Sequence, residues 1–309
     1  MDLQFFISLF LVCDSLFLFI VGLKLLTVSL NMVSSDKIKQ LIFKFSNSDF
    51  KALVLGIVIT AICQSSNAVT AITLSFIASK YISFRRGLVI IIGSNIGTTL
   101  TSVFFSLNIQ NYGFLFIVVG IVVLLVIKNK WYGILTLSLG LLLFGLNHLS
   151  NNIEYLLVLD DISPILVSIN SSNFLCFGLG TIISFVIQSS SASIGMVQDL
   201  HQSSLLNLSC AIAFVLGANI GTTITGIVAS AFCDKYTKLV ALLNFLFNFV
   251  GSVIFILFIT PYTSLLLIIK DAFHLSNSLT VSFSHIIYNI ITVFSFMILL
   301  EIYDKMKRK

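Results

Sequence analysis

The stretch Gln64-Ser65-Ser66-Asn67 interrupts an apolar segment, residues 52–79, and decides how the chain is read. It returns as Gln188-Ser189-Ser190-Ser191 inside a second apolar segment, 174–199. Each polar knot is followed by a second polar block, Gly93-Ser94-Asn95-Ile96-Gly97-Thr98-Thr99 and Gly217-Ala218-Asn219-Ile220-Gly221-Thr222-Thr223. Both pairs are offset by 124 residues, 188 − 64 and 217 − 93, so a unit has been duplicated with its polar sites in register. From Gly93 and from Gly217, seven of ten successive positions are identical.

The surrounding composition is that of an integral membrane protein: 58% of the 309 residues are hydrophobic, 9% are charged, and mean hydropathy is +1.09. A soluble domain carries about 25% charged residues. No run alternates apolar and polar residues as a β-barrel strand must, so the fold class is all-α. The first apolar run, 5–31, has no basic residue before it and is long enough to span, so it is expected to remain in the mature protein rather than be cleaved as a signal. The five cysteines are odd in number, form no Cys-x-x-Cys, and mostly sit in apolar segments. They read as buried small hydrophobes rather than redox or metal groups. The net charge of +5 is explained by membrane topology, and no nucleic-acid partner is expected.

Spans are expected at 5–31, 87–108, 113–127, 131–149, 205–231, 239–259 and 279–300, with a weakly apolar linker at 262–275. The knot-bearing segments are either single crossings or re-entrant hairpins of two half-helices. The positive-inside rule separates the two. With both re-entrant, 15 of the 17 basic residues share one side, leaving Lys270 opposite and Lys24 inside the first span. With both crossing, Lys80, Arg85, Arg86, Lys128, Lys130 and Lys270 change sides and the split falls to 10 against 6. The hairpin reading is preferred. Arg85-Arg86 then reads as a cytoplasmic topology anchor, while Glu154, Asp160, Asp161 and Asp199 lie outside.

A unit of one span, one hairpin, one broken span and one further span crosses three times, so the second copy must be inverted. The expected organisation is 1–130 as the first repeat (hairpin about 52–79, broken helix about 87–108) and 131–260 as the inverted second (hairpin about 174–199, broken helix about 205–231). Residues 261–309 hold the linker, the last transmembrane helix and a basic cytoplasmic tail. The N-terminus is expected outside, in a multi-pass cell (inner) membrane protein. Inverted repeats with interrupted helices are the signature of secondary transporters, which bind substrate at the repeat interface.

Serine and asparagine at the knots suit helix N-caps. A half-helix starting after Ser65 or Ser189 aims free N–H groups and its positive dipole end at the midplane, an anion site without a fixed cation. The preceding half-helix ends in free carbonyls, which with Gln64, Gln188 and the hydroxyls are hard oxygen ligands suited to Na⁺. The bland alternative, hydrogen-bonding glue between packed helices, fits one isolated knot better than two in register. For the second blocks the spacing Gly93 to Gly97, and Gly217 to Gly221, also forms a Gly-x-x-x-Gly packing face. The added Asn and Thr residues assign these blocks to the cavity wall. Candidate substrate ligands are Ser65, Ser66, Asn67, Ser189, Ser190, Ser191, Asn95 and Asn219. Candidate sodium ligands are Gln64, Gln188, Ser65, Ser189, Thr98 and Thr222. A third echo, Asn244-x-x-Phe247-Asn248 and His285-x-x-Tyr288-Asn289, puts polar groups at i and i+4 on one helical face that should point into the bundle. His285 is read as a proton carrier or a helix–helix hydrogen bond, and Asp14 in the first span as an ion-coupling carboxylate or a buried structural pair.

These motifs resemble the type II Na⁺/phosphate cotransporters, bacterial members included, over roughly residues 15 to 300. The resemblance implies sodium-driven phosphate uptake, with Gln64, Ser65, Ser66, Gln188, Ser189, Ser190 and Ser191 forming the substrate and sodium sites. Asn67 stands where the family usually has a third Ser, and Asn244 where a His is common. Many bacterial relatives carry a soluble regulatory domain after the last span, and this chain reads as the bare transporter core. The expected function is therefore a symporter of inorganic phosphate and Na⁺. The alternatives are a same-fold symporter for another oxyanion or small carboxylate, and a non-transporting membrane sensor. No cofactor beyond the coupling ion is expected, an intramembrane enzyme lacks its catalytic set, and a homodimer is left open.

Overall fold

Both knots break the chain in the same way. Gln64 (φ 55) and Gln188 (φ 61) adopt the left-handed conformation, which non-glycine residues rarely take and which stops a helix. The next residue, Ser65 or Ser189, is extended and accepts the N–H of the residue three further on, starting a new helix. In the computed structural model, which describes residues 3–45, 48–106, 109–157 and 163–307, all the regular elements are helical. They run α1 Leu3–Phe45, α2 Asp49–Cys63, α3 Ser66–Ala78, α4 Phe84–Phe105, α5 Gly113–Val126, α6 Lys130–Leu157, α7 Ser163–Ser171, α8 Asn173–Ile187, α9 Ser190–Gln202, α10 Leu208–Ser230, α11 Lys235–Leu257, α12 Ile259–Phe273 and α13 Asn277–Lys307. Asp160, Asp161, Arg308 and Lys309, used above to argue topology, lie outside the described residues.

Among the described residues, six helices are long and apolar enough to cross a membrane: α1, α4, α6, α10, α11 and α13. Their polarity is that of a membrane protein. Phe114, Leu125, Phe174, Val186 and Ile298 are exposed, whereas Asn248, Ser252, Thr280, Ser282, His285 and Asn289 are fully buried. The span expected at 113–127 is α5, a helix of 14 residues, shorter than these six. The linker expected at 262–275 is instead a helix, α12, with Leu266 buried against α13 and α10.

The structure corrects the expected broken spans. Helices α4 and α10 run without interruption through Gly93–Thr99 and Gly217–Thr223. The hydroxyls that were expected to need partners from a break find them one turn back in their own helix: Thr98 donates to Ser94 O at 2.9 Å, Thr99 to Ile96 O at 2.7 Å, and Thr223 to Ile220 O at 2.7 Å. The glycines serve close approach. A Cβ at Gly93 would stand 2.5 Å from Leu53 O and one at Gly97 2.6 Å from Ile57 O. The second copy repeats this in register, with Gly217 facing Phe177 O and Gly221 facing Thr181 O. Helix α2 thus lies backbone to backbone on α4, and α8 on α10, as small-residue faces permit.

The 124-residue register extends to the caps (Ser48 and Ser172, Ser83 and Asn207) and to a second left-handed pair, Lys80 and Ser204. Helices α1 and α6, which open the two copies, pack antiparallel: Gly22 meets Leu142, Phe19 meets Gly145, and Ser15 accepts from Asn152 Nδ2 at 2.9 Å. The start of α2 is tied to the start of α4 by Asp49, which pairs with Arg85 at 2.6 Å and with Arg86, and Arg85 also pairs with Asp304 of α13. In the second copy the starts of α8 and α10 are joined by a disulfide, Cys176–Cys210. This overturns the reading of all five cysteines as fillers, because the fold brings two residues 34 apart in sequence to a Cα–Cα distance of 5.5 Å. Beside it, Asn170 accepts from Asn207 N and donates to Leu205 O, both at 2.8 Å.

Candidate functional site

The two knots meet around one cavity of about 430 Å³. Gln64, Ser65, Ser66 and Asn67 line it from one copy, Gln188, Ser189, Ser190 and Ser191 from the other, and Leu23, Lys24 and Val28 close it from α1. Helices α3 and α9 both begin here. Ser65 Oγ accepts Ala68 N–H at 3.2 Å and Ser189 Oγ accepts Ala192 N–H at 3.3 Å. A lone pair of each hydroxyl is spent on the cap, which leaves its O–H free to donate to an anion. First-turn N–H groups and the positive ends of two helix dipoles reinforce that preference.

Asn67 joins the knots across the copies. Its Nδ2 donates to Gln188 O at 2.6 Å, and its Oδ1 accepts from Thr225 Oγ1 at 3.1 Å. Asn67 and Gln188 also line a second cavity of about 380 Å³, with Thr70, Ala71, Phe185 and Thr225. The bond between them therefore stands at the boundary of two chambers. The Asn67 side chain thus spans the gap between the knots and reaches the opposite backbone.

A third cavity, about 10 Å³, is polar on nearly every wall: Ser66, Asn67, Thr70, Ser94, Asn95, Thr222, Thr223 and Asn244, with Gly226. That volume admits roughly one water-sized particle. Uncharged side-chain oxygens suit a small hard cation.

The remaining expected residues fall elsewhere. Thr98 is buried but bonded within α4, and Asn219 donates to Val215 O at 2.9 Å; both lie outside the linings of these cavities. The third echo partners the two asparagines of the second blocks. Asn95 Nδ2 of α4 donates to Asn244 Oδ1 of α11 at 3.4 Å, and Asn219 Oδ1 of α10 meets His285 Nε2 of α13 at 3.1 Å. His285 is fully buried, with its other ring nitrogen 3.3 Å from Ser102 Oγ. It belongs to a helix-joining network in which Gln198 Nε2 donates to Ser282 Oγ at 2.5 Å and to Ser102 O at 3.0 Å. Asp14 is exposed on α1, away from the cavity lining.

Three polar residues of these walls escaped the sequence reading: Thr70, Thr225 and Lys24, the last putting a cation in the wall of a site expected to have none. Thr70 and Thr225 lie beyond the motifs, and nothing local marks them. Lys24 did carry a signal, as the single basic residue inside the first apolar run, but its place beside the knots depends on how α1 packs.

The chain spans 79% of its own length in an alignment with the uncharacterized protein YqeW of Bacillus subtilis (strain 168), 29% identical over 247 residues and covering 80% of that relative. It is 26% identical over 260 residues to YjbB of Escherichia coli (strain K12), provisionally named an inorganic phosphate export protein. That alignment takes in 83% of this chain and 47% of YjbB, so the chain spans about half the length of that relative. A shorter match, 32% over 99 residues, covers 30% of the chain and 14% of the human sodium-dependent phosphate transport protein 2B. No solved structure matches the chain with significance. The family described as Na+/Pi-cotransporter matches at residues 18–151 and again at 141–269, together most of the sequence. With the duplicated knots on two helix starts and the family match across both copies, the chain belongs to the Na⁺/Pi-cotransporter family, a family of transporters and not of enzymes.

Proposed function

We propose that this chain is a secondary active symporter that imports inorganic phosphate with Na⁺ by alternating access. The observation that carries the reading is the cavity of about 430 Å³ into which both helix starts, capped by Ser65 and Ser189, converge. Its walls offer hydroxyls, side-chain amides, helix N-termini and the Lys24 ammonium, which suit an oxyanion. The polar cavity of about 10 Å³, sharing Ser66 and Asn67 with it, is the proposed Na⁺ position. Two residues common to both walls give the coupling a physical route, because filling one site orders ligands of the other.

Alternating access follows from the pairing of the copies. Antiparallel packing of the equivalent helices α1 and α6 supports inverted repeats. The Asp49–Arg85 pair supports a re-entrant hairpin, since it holds the start of α2 beside the first turn of α4, soon after α3 has ended. The Cys176–Cys210 link supports the same shape for α8 and α9. Disulfides persist in oxidising compartments, which favours an outward-facing base for the second hairpin, with the N-terminus outside and the C-terminus in the cytoplasm. Helix α5 with its preceding 3₁₀ turn, Ile109–Tyr112, has 14 and 4 residues, about 29 Å at their usual rises and enough to cross. In this scheme the Asn67–Gln188 bond parts when the chambers exchange access.

Uptake of labelled phosphate by proteoliposomes tests the proposal. Accumulation should follow an inward Na⁺ gradient, vanish when choline replaces Na⁺, and reverse when the gradient is reversed. Phosphate efflux against the Na⁺ gradient would instead favour the direction in YjbB's name. Arsenate competing while sulfate and dicarboxylates do not is the expected selectivity, and the opposite order would reassign the substrate.

A further inference from the structure

We propose that Lys24 is the fixed positive charge of the anion cavity, pairing with bound phosphate and favouring its dianion. This rests on the transport reading above and deepens it. Lys24 and Val28 are one turn apart on α1 and, with Leu23, face the cavity formed by both knots. Among the residues lining that cavity, drawn from α1, the α2–α3 junction and the α8–α9 junction, Lys24 is the sole charged or titratable one. A lysine in a span ordinarily finds a carboxylate or snorkels to the headgroups. The ion pairs among the described residues join Arg85 and Arg86 to Asp49 and Asp304, and none involves Lys24. Asp14, the other charge of the same span, is ten positions earlier, about 15 Å along the helix. His148 on the neighbouring α6 is outside the lining. Lys24 is exposed into a space whose other polar walls are neutral.

The charges match the substrate. Two helix starts contribute about +0.5 each and the ammonium +1, roughly +2 in all, the complement of hydrogen phosphate. Phosphate takes its second negative charge near neutral pH, so a site with this balance discriminates between its two ionisation states. Without Lys24 the same walls are suited to the monoanion, and a bound Na⁺ must supply more of the neutralisation.

The test uses the full chain in proteoliposomes. Lys24→Gln should raise the phosphate KM by about tenfold to a hundredfold, the loss of one hydrogen bond to a charged partner. It should also move the pH profile of KM toward acid and steepen the Na⁺ dependence, while Lys24→Arg keeps all three near wild type. A purely structural or headgroup role moves neither the pH profile nor the Na⁺ dependence. Lys24→Cys, in a background lacking Cys13, Cys63 and Cys233, gives an independent readout. Aminoethyl methanethiosulfonate, which restores the cation, should recover affinity; the sulfonatoethyl reagent should not; and phosphate should slow both reactions. An unchanged KM and pH profile in Lys24→Gln beside a normally transporting wild type overturns the role of Lys24 alone. A wild type without Na⁺-driven uptake overturns the transport reading and this inference with it.

Discussion

Ser65 and Ser189 each do two things at once, and substitution can separate them. Each caps a helix through a lone pair and lines the cavity with an O–H left to donate. Ser→Ala at either position removes both, with a cap loss of about 0.5–2 kcal/mol. Ser→Gly removes the hydroxyl yet loses only a few tenths of a kcal/mol as a cap. Ser65→Gly and Ser189→Gly should therefore melt near wild type in detergent while phosphate uptake falls at least tenfold. Retained uptake would reduce these hydroxyls to structural caps. Asn67 is the complementary case, since its amide holds the opposite knot and also lines the small polar cavity. Asn67→Ser shortens the side chain below the reach of Gln188 O. It should lower stability by about 1 kcal/mol, one hydrogen bond, and weaken the apparent Na⁺ affinity. Equal Na⁺ dependence in Asn67→Ser and wild type would count against the shared wall as the coupling route.

At the scale of elements, stability depends on helices that touch through their backbones. A Cβ at Gly56 would stand 2.1 Å from Ile90 O, and one at Gly180 2.1 Å from Phe214 O, whereas one at Gly178, two residues away on α8, meets nothing within 4 Å. Gly56→Ala and Gly180→Ala must push helices apart and should each lose about 1–3 kcal/mol. Gly178→Ala should instead be neutral or gain up to about 1 kcal/mol in helix propensity. Thermal melting of the three variants checks this, and equal effects at Gly178 and Gly180 would refute the close packing of α8 on α10. The disulfide is the second element-scale device. Closing 34 residues between Cys176 and Cys210 restricts the unfolded chain by about 3–4 kcal/mol at most. Reduction should therefore lower the melting temperature, and Cys176→Ala should lower it to the same value and make it insensitive to reductant. The first copy closes the same junction with Asp49, Arg85, Arg86 and Asp304. Partly exposed ion pairs are screened by salt, so only the first copy's closure should weaken at high ionic strength.

For the molecule as a whole, the helical class, the duplication and the meeting of the knots were legible because period, composition and the 124-residue offset are properties of the chain itself. The continuity of α4 and α10 was not. The same Gly, Asn and Thr letters serve a broken helix or a tightly packed one, and the choice turns on whether Leu53, Ile57, Phe177 and Thr181 approach closely enough. The positions of Lys24 and Thr225 were hidden for the same reason, since both depend on packing between elements distant in sequence. The relative orientation of the copies has the largest consequence for the proposed transport, because only inversion would let the two proposed hairpins open to opposite sides. Lys80 and Ser204, equivalent left-handed residues just after α3 and α9, report on it directly. In a background without Cys13, Cys63 and Cys233, Lys80→Cys should react with a membrane-impermeant maleimide only after permeabilisation, and Ser204→Cys should react in intact cells. Labelling of both from one side would mean parallel copies, and with them the proposed alternation of the two hairpins would fall.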